Sequence, residues 1–157
     1  MVYGMVIDSE IPLMTVGETA DSAMPPSVIL SLGSPEFFAA KSLGLVAEPD
    51  EWVQYAVLAD GSVFIQSKEV LQAVVSSDGR TATCAWLDGV DRTAVEANFL
   101  NFVLSTSLTL QGEEPFHATV VDLGGKVIGL LGPSGAGKST LAACLIRQGA
   151  DLVTDDM

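Results

Sequence analysis

A single stretch, from Val127 to Thr140, constrains this chain more than any other, because it joins an apolar run to a helix-forming run through a glycine-rich turn. Gly132, Gly137, Lys138 and Ser139 fill the fixed places of the pattern G-x-x-x-x-G-K-S/T. Glycine reaches backbone torsions that are closed to other residues, so successive N–H groups can turn inward around an anion. The stretch therefore predicts a strand, a phosphate-binding loop and a helix whose positive end faces the same anion.

The chemistry of this loop predicts ATP and Mg²⁺ as the bound cofactors. Lys138 is expected to reach the β- and γ-phosphates, and the Ser139 hydroxyl is expected to ligate the magnesium ion. A glycine-rich turn that merely contains a lysine is the alternative, and the strand before and the helix after the turn favour the phosphate loop. The residues expected to contact the nucleotide are Gly132, Pro133, Ser134, Gly135, Ala136, Gly137, Lys138, Ser139 and Thr140.

The charge of the chain argues against a nucleic-acid ligand. Phosphate backbones are bound by clustered Lys and Arg, whereas this chain has a formal net charge of -13 and its basic residues are scattered. A solvated acidic surface is the favoured interpretation of the acidic first part, and binding of a basic peptide there stays open. The apolar runs are too short to span a bilayer and no secretory signal is recognised, so we expect a cytoplasmic protein without membrane contact.

Residues 1–111 are predicted to form a β-rich α+β domain. Alternating apolar residues flank Asp60-Gly61, and a second pair of strand-like runs flanks Ser77-Asp78-Gly79, which is typical of two β-hairpins. Asp91 is expected to cap a helix that runs to about Leu110, so the domain is predicted to be a β-meander plus a helix. Further strands are expected at 1–8 and 28–32. Residues 35–50 are ambiguous, with core positions expected at Phe37, Phe38 and Leu43.

Residues 112–157 are predicted to form the N-terminal part of a P-loop domain, so the whole chain is assigned to the α/β class. Three strands are expected at 116–122, 126–131 and 151–154. The helix after the loop is expected to run from Lys138 to Gln148, to end at Gly149, and to bury Leu141, Cys144 and Leu145. One helix cannot cover such a sheet, so we expect a truncated domain.

Two carboxylates follow the last predicted strand. Asp155 and Asp156 are suitably placed to meet a magnesium-nucleotide complex, one as a metal ligand and the other as acceptor of a proton from an attacking hydroxyl. An acidic turn at a strand end is the alternative. His117 is the single histidine of the chain, and taken alone it is expected to be structural or simply exposed.

Three elements of the second part together resemble the catalytic domain of the HPr kinase/phosphatase family. These are a histidine one strand ahead of the loop, the loop itself, and a segment in which Gly149 is followed by Leu152-Val153 and Asp155-Asp156. The resemblance implies an ATP-dependent serine kinase with Asp156 as catalytic base and Lys138 and His117 at the reacting phosphate. It further implies magnesium binding at Ser139 and Asp155. Thr140 stands where bifunctional members have an acidic residue, which argues against phosphatase activity.

The acceptor is expected to be a serine of a peptide or small protein. The opening of the chain resembles HPr-kinase-like proteins that phosphorylate the C-terminal serine of a lasso precursor peptide, through the run Tyr3-Gly4-Met5-Val6-Ile7-Asp8-Ser9-Glu10 with Pro12. Two other interpretations stay open. One is an ABC-type or other P-loop ATPase, and the other is a nucleotide-binding fragment that transfers nothing. Homo-oligomer formation, which the family shows, also stays open.

Overall fold

The computed structural model describes residues 5–11, 13, 25–46 and 50–155. The chain divides into two compact units, Met1–Glu114 and Pro115–Met157, against a boundary predicted at residue 111. Both units combine strands with helices, so the chain is of mixed α/β character. In the described part of the chain, no helix combines the length and the apolar character needed to cross a membrane.

A six-stranded sheet forms the first unit, with the spatial order β1-β2-β6-β5-β4-β3. Strands β3 to β6 form an antiparallel meander, and β1 and β2 lie parallel beside β6. The meander confirms the two predicted hairpins, whereas the parallel arrangement of β1 and β2 was not predicted. The strands are β1 (Ile7–Ser9), β2 (Val28–Leu32), β3 (Val53–Val57), β4 (Val63–Ser67), β5 (Leu71–Val75) and β6 (Thr81–Trp86).

Both hairpin turns contain a glycine with positive φ. Gly61 has φ +79° and Gly79 has φ +70°, a region that L side chains rarely adopt. Aspartates stabilise the turns, since Asp60 Oδ1 accepts the Ser62 N–H at 3.0 Å and Asp78 Oδ1 accepts the Arg80 N–H at 3.0 Å. Local sequence therefore determines where the meander reverses direction.

The helical segment that covers one face of the first sheet has three parts. It comprises α2 (Arg92–Asn98), a π-helical stretch (Phe99–Leu104) and α3 (Ser105–Leu110). The predicted cap is confirmed, because Asp91 Oδ1 accepts the Thr93 N–H at 3.2 Å. The π-helical stretch was not predicted. It buries Phe99, Val103 and Leu104 in the largest apolar core of the chain's described part.

The ambiguous segment contains a helix, α1 (Pro35–Lys41). Ser34 caps it by accepting the Phe37 N–H at 3.3 Å, and Phe38 is buried on the second face of the sheet. Leu43, which was expected in the core, is 87% exposed. That expectation was wrong because Leu43 follows the end of α1 and lies in a turn.

The second unit contains a three-stranded antiparallel sheet with the order β8-β7-β9 and the helix α4. Its core is small, since the buried residues of its apolar cluster are Val121, Ala142 and Ala150. The predicted burial of Leu141 and Cys144 was wrong, because α4 packs on the sheet through Ala142 and Leu145 and turns those two side chains outward. The elements are β7 (Ala118–Asp122), β8 (Val127–Leu131), α4 (Lys138–Ile146) and β9 (Asp151–Thr154).

Candidate functional site: a glycine loop and a carboxylate at one edge of the second sheet

Strand pairing brings three chain segments to one edge of the second sheet. Strands β8 and β9 both run antiparallel to β7, so they are parallel to each other and their carboxyl ends lie at the same edge. The glycine loop follows β8, Asp155 follows β9, and His117 precedes β7. The sheet therefore gathers most of the sequence-predicted site residues although they are distant in the chain.

The loop from Gly132 to Gly137 exposes its backbone. Gly135 and Gly137 have φ of +78° and +90°, and the Ala136 N–H donates to the Pro133 carbonyl at 3.1 Å to close a tight turn. Gly137 is the N-cap of α4, and no side chain caps that helix in the described structure. The first N–H groups of a helix have no intrahelical acceptor, so they can bind an anion such as phosphate.

Lys138 is buried at the first position of α4. Its Nζ donates to the Gly132 carbonyl oxygen at 3.1 Å, so the ammonium group folds back over the loop instead of extending into solvent. A buried ammonium is costly unless it has oxygen partners. This arrangement holds a positive charge beside the exposed N–H groups, where an anion would bind.

Ser139 and Asp155 meet across the site. The Ser139 hydroxyl donates to Asp155 Oδ1 at 3.2 Å, which joins the first turn of α4 to the end of β9. The two side chains present hard oxygen donors of the kind Mg²⁺ prefers, and this ion is usually bound by one or two carboxylates together with substrate phosphates. No group of three or more His, Cys, Asp or Glu residues that could hold a metal is found among the residues that the structure describes. The donor set thus fits a magnesium ion shared with a nucleotide.

The other predicted site residues that the structure describes lie near this pair. His117 is exposed and immediately precedes Ala118, which pairs with Leu131 in the register, so the histidine lies at the edge where the loop begins. Pro133, Ser134 and Thr140 are exposed. Asp156, the residue expected to act as base, lies outside the described residues.

Thr119 belongs to the site and was missed by the sequence analysis. It is fully buried in β7, and its Oγ1 donates to Asp155 Oδ1 at 2.6 Å. The signal in the sequence was a hydroxyl-bearing residue among apolar strand residues, two positions after His117. Threonine is common in strands, so the pattern gave no reason to assign it a role.

No family model matches this chain, and searches of curated proteins and of solved structures likewise find no match.

Proposed function

We propose that this protein is an ATP-dependent serine kinase of the HPr kinase-like type, and that its acceptor is a serine of a peptide or small protein. The observation that supports this best is the 3.2 Å hydrogen bond between Ser139 and Asp155. It brings the hydroxyl that a phosphate loop offers to magnesium against the first of two adjacent carboxylates. A phosphate loop by itself does not include these carboxylates, so the combination favours an HPr-kinase-like site over a phosphate loop of another kind.

ATP would bind by its phosphates at the start of α4. The N–H groups from Gly135 to Ser139 would donate to phosphate oxygens, and Lys138 would exchange its Gly132 carbonyl partner for a phosphate oxygen. An ammonium already held over the loop needs little reorganisation to make this contact. ATP is available in the cytoplasm, which is where we propose that the protein acts.

Ser139 and Asp155 are the residues that would hold Mg²⁺. When bound, the ion would neutralise charge that develops on the phosphate oxygens during transfer. The side chains contribute by orientation, since the Asp155 carboxylate is fixed by two hydroxyl donors.

The transfer itself is assigned to Asp156 by the resemblance. Its carboxylate would accept the proton of the acceptor serine while that serine's oxygen bonds to the γ-phosphorus and the bond to ADP breaks. His117 would stand near the reacting phosphate, consistent with its position immediately before β7. The products are a phosphoserine and ADP.

The decisive experiment is mass spectrometry of phosphoryl transfer by the full-length gene product with magnesium-ATP. The acceptors are a lasso precursor peptide that ends in serine and the same peptide ending in alanine. We expect a phosphate on the serine peptide alone. Asp156→Asn should abolish the transfer and keep nucleotide binding, because the amide cannot accept the proton.

Asp151→Asn is the matched control. It makes the same chemical change at the start of β9, away from the loop, and should leave transfer unaltered. Consumption of ATP with neither peptide modified would overturn the peptide-kinase proposal and favour a P-loop ATPase. Binding of ATP without its consumption would favour the nucleotide-binding fragment.

A further inference from the structure

A short hydrogen bond from Thr119 joins β7 to the Asp155 carboxylate. Its side chain is 0% exposed, and the 2.6 Å bond from Oγ1 to Asp155 Oδ1 is in the range of charge-assisted O–H···O⁻ hydrogen bonds. A buried hydroxyl is costly without a partner, and this one has a carboxylate. Thr119 and Val121 point to the same side of β7, since alternate residues share a face, and Val121 packs against α4.

Packing alone does little to fix Asp155. The preceding strand, β9, is an outermost strand of the sheet and pairs with β7. Its residues Asp151, Leu152 and Val153 are exposed. The pairing also contains a register shift at Val120/Val121. Thr154, the last residue of β9, still pairs with Val120, but Asp155 follows the strand and is exposed, so its carboxylate is positioned by side-chain hydrogen bonds.

Asp155 Oδ1 accepts hydrogen bonds of unequal length from two hydroxyl groups. The bond from Ser139 is 3.2 Å long and the bond from Thr119 is 2.6 Å long. Ser139 lies on the exposed side of the site and is the hydroxyl that a phosphate loop offers to magnesium, whereas Thr119 is buried beneath it. The Thr119 bond is thus the one that can persist when Ser139 turns to a cation.

We propose that Thr119 is a positioning residue that holds the Asp155 carboxylate toward a magnesium ion shared with ATP. This inference rests on the proposed function only in requiring that magnesium-ATP binds at the glycine loop. It does not depend on the identity of the acceptor or on transfer taking place. Residues that orient a metal ligand typically contribute 10–100-fold to metal affinity.

The test is a titration of Mg²⁺ at fixed ATP, with bound nucleotide measured by calorimetry, and a parallel measurement of ATP affinity in EDTA. Thr119→Val removes the hydroxyl and keeps the branched shape, so it should weaken the apparent Mg²⁺ affinity by about 10–100-fold. Its ATP affinity in EDTA should equal that of the wild type. Thr119→Ser retains the hydroxyl and should return the Mg²⁺ affinity to within a few-fold of wild type.

A double-mutant cycle with Asp155→Asn tests whether Thr119 acts through the carboxylate. The double variant should bind Mg²⁺ no more weakly than Asp155→Asn alone, because the positioned charge is already gone. Should Thr119→Val fail to fold, Thr119→Ala carries the same expectation, since it also removes the hydroxyl.

Two results would overturn the positioning role while the nucleotide site stands. One is an unchanged Mg²⁺ affinity in Thr119→Val. The other is an equal loss of ATP affinity with and without the metal, which would indicate a structural role. Failure of the wild type to bind magnesium-ATP would instead overturn the proposed nucleotide site and the role of Thr119 together. Binding without transfer would leave the positioning role supported and remove the kinase proposal.

Discussion

The two units of this chain differ in how they use their side chains. In the first, both faces of a six-stranded sheet carry apolar clusters, and the buried apolar residues that the structure describes far outnumber the buried polar ones, which are Ser62, Ser67, Glu96 and Ser107. In the second, three strands and one helix enclose a small core, and a buried lysine and a buried threonine lie beside exposed loop residues. The comparison indicates that the first unit obtains its stability from packing, whereas the second places two polar side chains, Thr119 and Lys138, in its limited interior, where we propose a nucleotide site.

The cysteines should reveal this difference most clearly. Burial raises the pKa of the Cys84 thiol in the first unit to about 12 from its ordinary 9.0, whereas Cys144 in the second unit is exposed. At pH 8 the native Cys84 thiolate should be about 1,000-fold rarer than in the unfolded chain, so iodoacetamide should label Cys144 first. Peptide mapping after timed labelling measures both rates.

The same shift makes stability depend on pH in one direction. Above about pH 9 the unfolded Cys84 loses its proton while the folded thiol keeps it, so rising pH should favour unfolding of the first unit until about pH 12. Rapid labelling of Cys84 in the native protein at pH 8 would contradict the burial of its thiol.

Replacing a leucine by alanine should lower the free energy of unfolding more in the first unit than in the second. Leu104 is fully buried and Leu141 is 50% exposed, so the same change to alanine removes very different contacts. Leu104→Ala should lower the free energy of unfolding by about 2–5 kcal/mol, because it leaves a cavity in the core. Leu141→Ala, measured by the same urea titration, should cost less than about 1 kcal/mol. Equal losses would contradict the assignment of stability to packing in the first unit.

Removing one lysine charge should test the nucleotide binding that we propose for the second unit. Lys138→Ala should weaken ATP binding by roughly 10–100-fold, since a charged hydrogen bond contributes about 1.5–3 kcal/mol. Lys126→Ala is the control, because it removes the same charge at the β7–β8 turn, at the opposite end of the sheet from the loop. Calorimetric titration with ATP distinguishes them, and an equal effect of both changes would indicate only general electrostatic attraction.

The smallest expected effect concerns the N-termini of the helices α2 and α4. Asp91 caps α2, whereas α4 begins at Lys138 after the N-cap Gly137 and has no side-chain cap in the described structure. Its first N–H groups are the ones that we propose bind the phosphates of ATP. Asp91→Ala should therefore cost about 1 kcal/mol of stability and leave ATP binding unchanged. Thermal unfolding measures the first effect, with Asp88→Ala as a control at a nearby exposed aspartate. A change in ATP affinity in Asp91→Ala would mean that the two units are coupled.

The sequence by itself determined the local structure. The hairpin turns, the Asp91 cap and the strand, loop and helix around Lys138 follow from torsions and hydrogen bonds within a few residues. The helix α4 ends at Ile146, two residues before the predicted end at Gln148, and Gly149 follows it with a positive φ. Periodicity was less informative in the helical segment, where it did not indicate the π-helical stretch. On α4 it placed Leu141 and Cys144 on the wrong face, because which face is covered depends on the partner.

Only the tertiary structure decided which distant residues meet. The parallel placement of β1 and β2 beside β6, and the position of β7 between β8 and β9, depend on strand pairing across long stretches of chain. Two of the predicted site residues, Ser139 and Asp155, make contact because of that pairing, and Thr119 joins them although its sequence context is that of an ordinary strand. Pairing order follows from burial summed over whole sheets, so no short motif contains it.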